Sequence, residues 1–229
     1  MLNSNPEREV GAGLRTYFLV CLLGISVGLN IFFGLRIYTP KLWHDLQLAM
    51  VRPPVLRSDD HLRGPADGPV TIIEYSDFEC PFSAQIHPSL KRLTEENRIR
   101  WVYRSFPLSA MHPHAAEAAE AAECAGDQAK FWEYADVLFE SQGALRNSGS
   151  AASFLTGLAD RVGLNEEGFQ SCLSAHRSQG RIRSLVAEGK SERIEATPTL
   201  FVNGKRQVGS LSFEKLEQLV RGAAKQAGK

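Results

Sequence analysis

The sequence predicts an α/β domain whose elements run β-α-β, then a block of helices, then β-β-α, with one apolar segment ahead of it. Three observations carry this. Val70-Thr-Ile-Ile-Glu-Tyr75 is a β-branched run bounded by Gly-Pro and Ser-Asp, as a buried strand should be. The middle of the chain is rich in alanine and aromatic residues at helical spacing. Near the end, Asn203-Gly204 separates two short strand-like runs, and this dipeptide supplies the positive φ values of a tight hairpin turn.

Residues 1–15 read as an N-terminal tail. Thr16 to Leu35 then runs for twenty residues without a charge. At about 1.5 Å per residue this is enough helix to cross a hydrocarbon core about 30 Å thick. Residues 16–37 are therefore expected to form a transmembrane signal anchor. The competing reading is a cleaved signal peptide and a secreted form. It is weaker, because the run exceeds an h-region of about 7–15 residues and no A-x-A-like site follows. Arg8 and Arg15 precede the span while Arg36, Lys41 and Arg52 follow it. The flanking charges thus lean slightly against an outside C-terminus, and orientation is left to the redox chemistry below.

Residues 38–68 read as a linker: a short amphipathic piece over 41–51, then a stretch rich in Pro, Gly and charge. The domain proper is expected over 69–229, with a helical insertion at about 107–194. After the first strand a helix should start near Ser83 and pass through Ile86, Leu90 and Leu93, with Pro88 kinking it. Arg98 to Phe106 gives a second strand, alternating Ile99, Trp101 and Tyr103 with Arg100 and Arg104 around Val102. Helices follow over 115–125, 128–141, 153–162, 166–173 and 181–194. The hairpin pairs 199–202 with 205–208, and a last helix starts at Ser212, a good N-cap.

The composition excludes several classes. With 43% hydrophobic residues the chain is neither disordered nor fibrous. Its 26 Lys+Arg balance 26 Asp+Glu, leaving no surplus of positive charge for a nucleic-acid partner.

Cys80 carries the chemistry. It lies between the end of a strand and the start of a helix, where unpaired N–H groups and the positive end of the helix dipole favour a thiolate. Pro81 fits the first helical turn, whose N–H has no intrahelical partner. His112 and His114 stand two apart with no third ligand at a known spacing and read as a polar helix entry, so no metal and no cofactor is expected. Cys21, within the apolar span, reads as a small apolar residue.

The strand order and this corner together resemble the DsbA-like thiol:disulfide oxidoreductases, a thioredoxin-like fold with a helical insertion. The resemblance rests on residues 72–82, on 115–125 and 130–134 in the insertion, and on Ala-Thr-Pro-Thr-Leu-Phe-Val-Asn-Gly at 196–204. It implies that Cys80 is the nucleophile. It also implies that Pro198 follows a cis peptide bond facing the sulfur, and that Thr197, with Pro81 and Phe82, meets the substrate. Glu74 matches an acidic residue behind the active site, where burial would let it relay protons; a solvated strand carboxylate is the alternative. Cys124 and Cys172 match places where relatives carry cysteines, implying a structural disulfide and an oxidising compartment, periplasmic or extracellular, in preference to a relocated resolving pair.

The departure from the family decides the mechanism. Where the family has Cys-Pro-x-Cys this chain has Cys80-Pro81-Phe82-Ser83, and Ser83 cannot form a disulfide. The expectation is one-cysteine chemistry: mixed disulfides with disulfide- or thiol-bearing client proteins, released by an external thiol or redox partner. The alternative is a module that binds unfolded or partner polypeptides without turnover. A thiol peroxidase is a third reading, and it lacks a resolving cysteine for the sulfenate.

Overall fold

The computed structural model describes residues 22–27, 29–30, 53–96 and 98–228. The expected transmembrane segment falls mostly outside these residues. Within it, 22–27 and 29–30 are helical, with Leu22, Leu23, Ile25, Val27 and Leu29 exposed. None of the described helices is long and apolar enough to cross a membrane.

From residue 53 onward the chain folds around a five-stranded sheet of order β1-β3-β2-β4-β5. Its strands are β1 (His61–Arg63), β2 (Thr71–Ser76), β3 (Arg100–Ser105), β4 (Thr199–Val202) and β5 (Lys205–Val208). β2 is central, parallel to β3 and antiparallel to β4. Helix α1 (Pro81–Glu95) joins β2 to β3 and runs unbroken past Pro88. The insertion supplies α2 (Ala115–Gly126), α3 (Phe131–Glu140), α4 (Gln142–Arg146), α5 (Ala151–Arg161), α6 (Glu166–Ser174) and α7 (Gln179–Ser191). Helix α8 (Phe213–Ala227) closes the chain. Its cap is the one expected, with the Ser212 side chain accepting from Lys215 N. The β4–β5 turn places Asn203 at φ 44° and Gly204 at φ 79°, which is why that dipeptide stands there.

Strand alternation divides the core in two. Ile72, Trp101, Tyr103, Leu200 and Val202 face Ile86 and Leu90 of α1, Leu216 and Val220 of α8, and the insertion helices. The other face carries Ile73, Tyr75, Val102, Phe106 and Phe201, with Ile194 and part of α7 over them. The approach of α7 is close: a Cβ on Gly189 would lie 2.6 Å from Phe106 Cε2. After α7 the chain turns through Arg193 at φ 55°, with Ile194 N bonding Gly189 O at 2.9 Å and Arg193 N bonding Lys190 O at 3.0 Å. This is a Schellman-type ending. Cys124 on α2 and Cys172 on α6 are joined by a disulfide.

The stretch read as linker differs in its second half. His61–Arg63 pairs antiparallel with β3, His61 opposite Tyr103, and the chain before it is strapped down by Arg104. That guanidinium is fully buried. It donates to Asp60 at 2.9 and 2.8 Å, to Glu188 at 2.8 Å, to the Tyr75 hydroxyl at 3.0 Å and to Val55 O at 2.6 Å. A charge so enclosed is tolerable because its donors are occupied. The strap is the other half of a buried ion pair.

Candidate active site at the start of helix α1

Cys80 is the N-cap of α1, with extended backbone (φ −71°, ψ 120°) and Pro81 as the first helical residue. Its carbonyl accepts the first helical bonds, from Ser83 N and Ala84 N at 3.1 Å. Cys80 is 4% exposed, and its thiol donates to Thr197 O at 3.2 Å. Thr197–Pro198 is a cis peptide, so the loop entering β4 presents a backbone carbonyl to the sulfur. Phe82 beside it is 58% exposed, while Ser83 is fully buried.

The loop that delivers Cys80 is held by groups that sequence reasoning missed. Asp77 Oδ1 accepts from Glu79 N at 2.8 Å, and its Oδ2 accepts from Leu108 N at 2.7 Å and meets His112 Nδ1 at 2.8 Å. Glu79 Oε2 accepts from His114 N at 2.6 Å. From α4, Gln142 Nε2 donates to both Phe78 O and Cys80 O, at 2.8 and 3.0 Å, and Arg146 donates to Glu79 O at 2.9 Å. Three successive carbonyls are thereby turned toward α4. The pattern S/T/D/N followed by a helix marks caps in a sequence, but a glutamine clamping distant carbonyls leaves no periodic signal.

Glu74 lies on β2, between Tyr103 of β3 and Leu200 of β4. It is 1% exposed, which excludes the solvated carboxylate that the sequence left open. Trp101 Nε1 donates to its Oε2 at 2.9 Å. Burial raises the carboxyl to about 7, and the Ser76 hydroxyl and the Trp101 indole offset only part of this. The structure thus brings together Cys80, Pro81, Phe82, Ser83, Thr197 and Pro198, with Glu74 inside the sheet. Cys124 and Cys172 belong to the packing of α2 on α6 and take no part in this cluster. A sulfur at a helix N-terminus opposite an available carbonyl is suited to in-line attack on a disulfide presented by an extended strand.

The family comparison decides the affiliation: residues 57–221 match the family described as thioredoxin. The chain belongs to the thioredoxin family. Solved structures show the same fold with its insertion. BdbD from Bacillus subtilis in its oxidised form superposes with a TM-score of 0.66 at 21% identity, covering 76% of this chain and 97% of that one. Wolbachia pipientis alpha-DsbA1 gives 0.67 at 19%, covering 76% and 94%. The thioredoxin domain therefore has the fold of DsbA-like thiol:disulfide oxidoreductases. Among curated proteins, Na+/H+ antiporter NhaA 1 of Salinispora arenicola is 43% identical over 171 residues, covering 74% of this chain and 26% of that protein. Na+/H+ antiporter NhaA 1 of Mycolicibacterium gilvum is 36% identical over 166 residues, covering 71% and 26%. The chain spans about a quarter of the length of these relatives.

Proposed function

We propose that this thioredoxin-family chain is a membrane-anchored, extracytoplasmic thiol:disulfide oxidoreductase or isomerase that works through Cys80 alone. The observation that carries the reading is the Cys80 sulfur at the N-cap of α1, 3.2 Å from Thr197 O, with Ser83 three residues on. Attack by the Cys80 thiolate on a client disulfide breaks that S–S bond, forms a mixed disulfide and releases the second client sulfur. An external thiol then attacks the mixed disulfide and frees Cys80. Thr197 O, relieved of the thiol, accepts an N–H from an extended client segment, and Phe82 gives that segment an apolar neighbour. Glu74, titrating near neutral pH, handles protons behind the site.

An oxidising compartment is supported by the Cys124–Cys172 disulfide. A membrane location is supported by the uncharged run from Thr16 to Leu35 and by the likeness to proteins named as antiporters. A reporter active only outside the cytoplasm, fused after residue 229, should be active; a stable but inactive fusion overturns the orientation.

The exchange chemistry is tested on non-reducing gels of wild type, Cys80→Ala and Ser83→Cys. Wild type should accumulate mixed disulfides that glutathione discharges, Cys80→Ala should trap none, and Ser83→Cys should shorten their lifetime. An intramolecular thiol acts at an effective concentration in the mM range. If wild type traps no more than Cys80→Ala, binding without turnover replaces catalysis. The low exposure of Cys80 and the absence of a thiol at position 83 are what favour that second reading.

A further inference from the structure

Beyond the end of β3, between the loop that follows it and helix α7, lies an open groove of about 510 Å³. One wall is the loop at Pro107 and Ser109 with the start of α2 at Ala116, and the other is α7 from Gln179 to Lys190. Ile182 and Val186 supply its apolar floor. Both walls lead to the reactive pair. Leu108, between Pro107 and Ser109, has its N–H held by Asp77 Oδ2 at 2.7 Å, and the other oxygen of that carboxylate holds Glu79 N beside Cys80. Lys190 stands seven residues before Thr197, and its carbonyl accepts from Arg193 N in the turn that leads there.

The rim of the groove is cationic. Arg183 and Lys190 are seven residues apart, about two turns of α7, and so share its groove side. Among the described residues the Lys190 ammonium has no hydrogen bond or ion pair. Arg183 donates to the neutral Gln179 side chain, which lines the same groove, and to no carboxylate among the described residues. Arg181, by contrast, is engaged by Asp59 and Glu123. The acid lining the groove is Glu120, which is buried and has its Oε2 2.8 Å from His176 Nδ1. Glu117 lines a separate cavity against α5 and α6. Two spare cations therefore stand about 10 Å apart, at about 1.5 Å per helical residue, over an apolar floor. An extended chain matches this spacing, because side chains on one of its faces recur about every 7 Å and the stems of Arg and Lys cover the remainder. A concave floor suits a chain better than a lipid surface, which a flat or convex cationic face would meet.

We propose that this groove holds the client chain on one side of its reacting cysteine, and that Arg183 and Lys190 select clients with acidic side chains in that segment. The selectivity rests on Cys80 being the attacking sulfur. Charge pairs made away from the sulfur speed the encounter and orient the client disulfide, and they leave the exchange chemistry itself unchanged. They also discriminate against basic segments, since a lysine seated between Arg183 and Lys190 meets like charge on both sides.

The test uses the full-length chain with Cys21→Ser in a non-ionic detergent, so that Cys80 is the one free thiol beside the Cys124–Cys172 pair. Short peptides carry a central cysteine as its pyridyl disulfide, flanked on both sides by glutamate, by glutamine or by lysine. The Cys80 thiolate attacks the peptide sulfur and the Cys80–peptide disulfide forms. Pyridinethiolate leaves and takes up a proton to become the thione, whose absorbance is followed. Each rate is divided by the same variant's rate with dipyridyl disulfide, which is too small to fill the groove. At low salt the glutamate peptide should react about tenfold faster than the lysine peptide, as two exposed ion pairs supply, and added salt should shrink the ratio. Arg183→Gln with Lys190→Gln should bring the ratio close to one, and Arg183→Glu with Lys190→Glu should invert it. Lys205→Glu with Lys225→Glu makes the same change in net charge as that second pair, at the β4–β5 turn and the last turn of α8, and should leave the preference in place. If the parent shows no preference, or the α7 variants keep it, or the distant pair removes it equally, the groove reading is overturned; reaction with dipyridyl disulfide then leaves the Cys80 reading standing. If the parent reacts with no disulfide, both fall. If the α7 variants alter the oligomeric state and not the preference, the groove belongs to a second copy and the proposal is overturned. Should the glutamate pair fail to fold, the glutamine pair decides alone.

Discussion

Replacing Glu74 by glutamine should make the protein more stable, and only at the alkaline end. In the folded chain the Glu74 carboxyl titrates at about 7 against an ordinary value of 4.5, because burial disfavours its charge. Between those pH values the folded state keeps a proton that the unfolded state has lost. Stability therefore falls as pH rises through this window and stays lowered above it. At about 1.4 kcal/mol per pH unit the full span amounts to about 3 kcal/mol at pH 8. Glutamine has nearly the same shape, can still accept from Trp101 Nε1 and cannot ionise. Urea unfolding followed by the fluorescence of Trp101 and Trp132 should show the gap between Glu74→Gln and wild type widening by about 3 kcal/mol from pH 4.5 to pH 8. Any offset from burying the amide is the same at both ends and cancels. Parallel stability curves across that range would refute the reasoning, since they would mean that the carboxyl titrates alike in both states.

Arg104→Leu should leave Asp60 buried without its main partner and destabilise by about 3–5 kcal/mol, the usual result of breaking a buried pair from one side; limited proteolysis should then cut first within residues 53–63. Gln142→Leu removes the donor shared by Phe78 O and Cys80 O and should lower unfolding free energy by about 1–3 kcal/mol in urea titrations; an unchanged midpoint would show that the carbonyls find other donors. Reducing or mutating the Cys124–Cys172 bridge, which spans a sequence separation of 48, should lower stability by up to about 4 kcal/mol on chain-entropy grounds, read as a shift in denaturant midpoint with and without reductant.

The parts of the fold that were legible in the sequence are those whose signal is local. Asn203-Gly204 announces its own turn, Ser212 its own cap, and the β-branched run at 70–75 its own strand. β1 is three residues long inside a Pro- and charge-rich stretch, and it pairs only because β3 and the Arg104 cluster receive it from elsewhere in the chain. The burial of Arg104 has no sequence signal, because alternation assigns a face to a residue and says nothing of the acids that arrive to meet it there. α4, five residues with no apolar period, was invisible for a similar reason. In the site, Cys80, Thr197 and Pro198 were recognisable through the resemblance, whereas Gln142, Arg146, Asp77 and Glu79 act mostly on backbone groups that every sequence shares. Glu74 is picked out with burial and solvation both left open, since a carboxylate in a strand reads the same whether water or tryptophan faces it.

Gly189 governs more than the fit of one helix. Its missing methyl lets α7 settle against Phe106, and a Cβ there would also come within 3.3 Å of Tyr75. From Gly189 the chain reaches the Thr197 carbonyl in eight residues, through a turn fastened back onto Gly189 O itself. Any side chain at 189 would act as a shim under α7, and the displacement would be handed on to the loop carrying Thr197. The spacing between that carbonyl and the Cys80 sulfur is thus calibrated on the opposite face of the sheet from the core that anchors α1, by an atom that is not there.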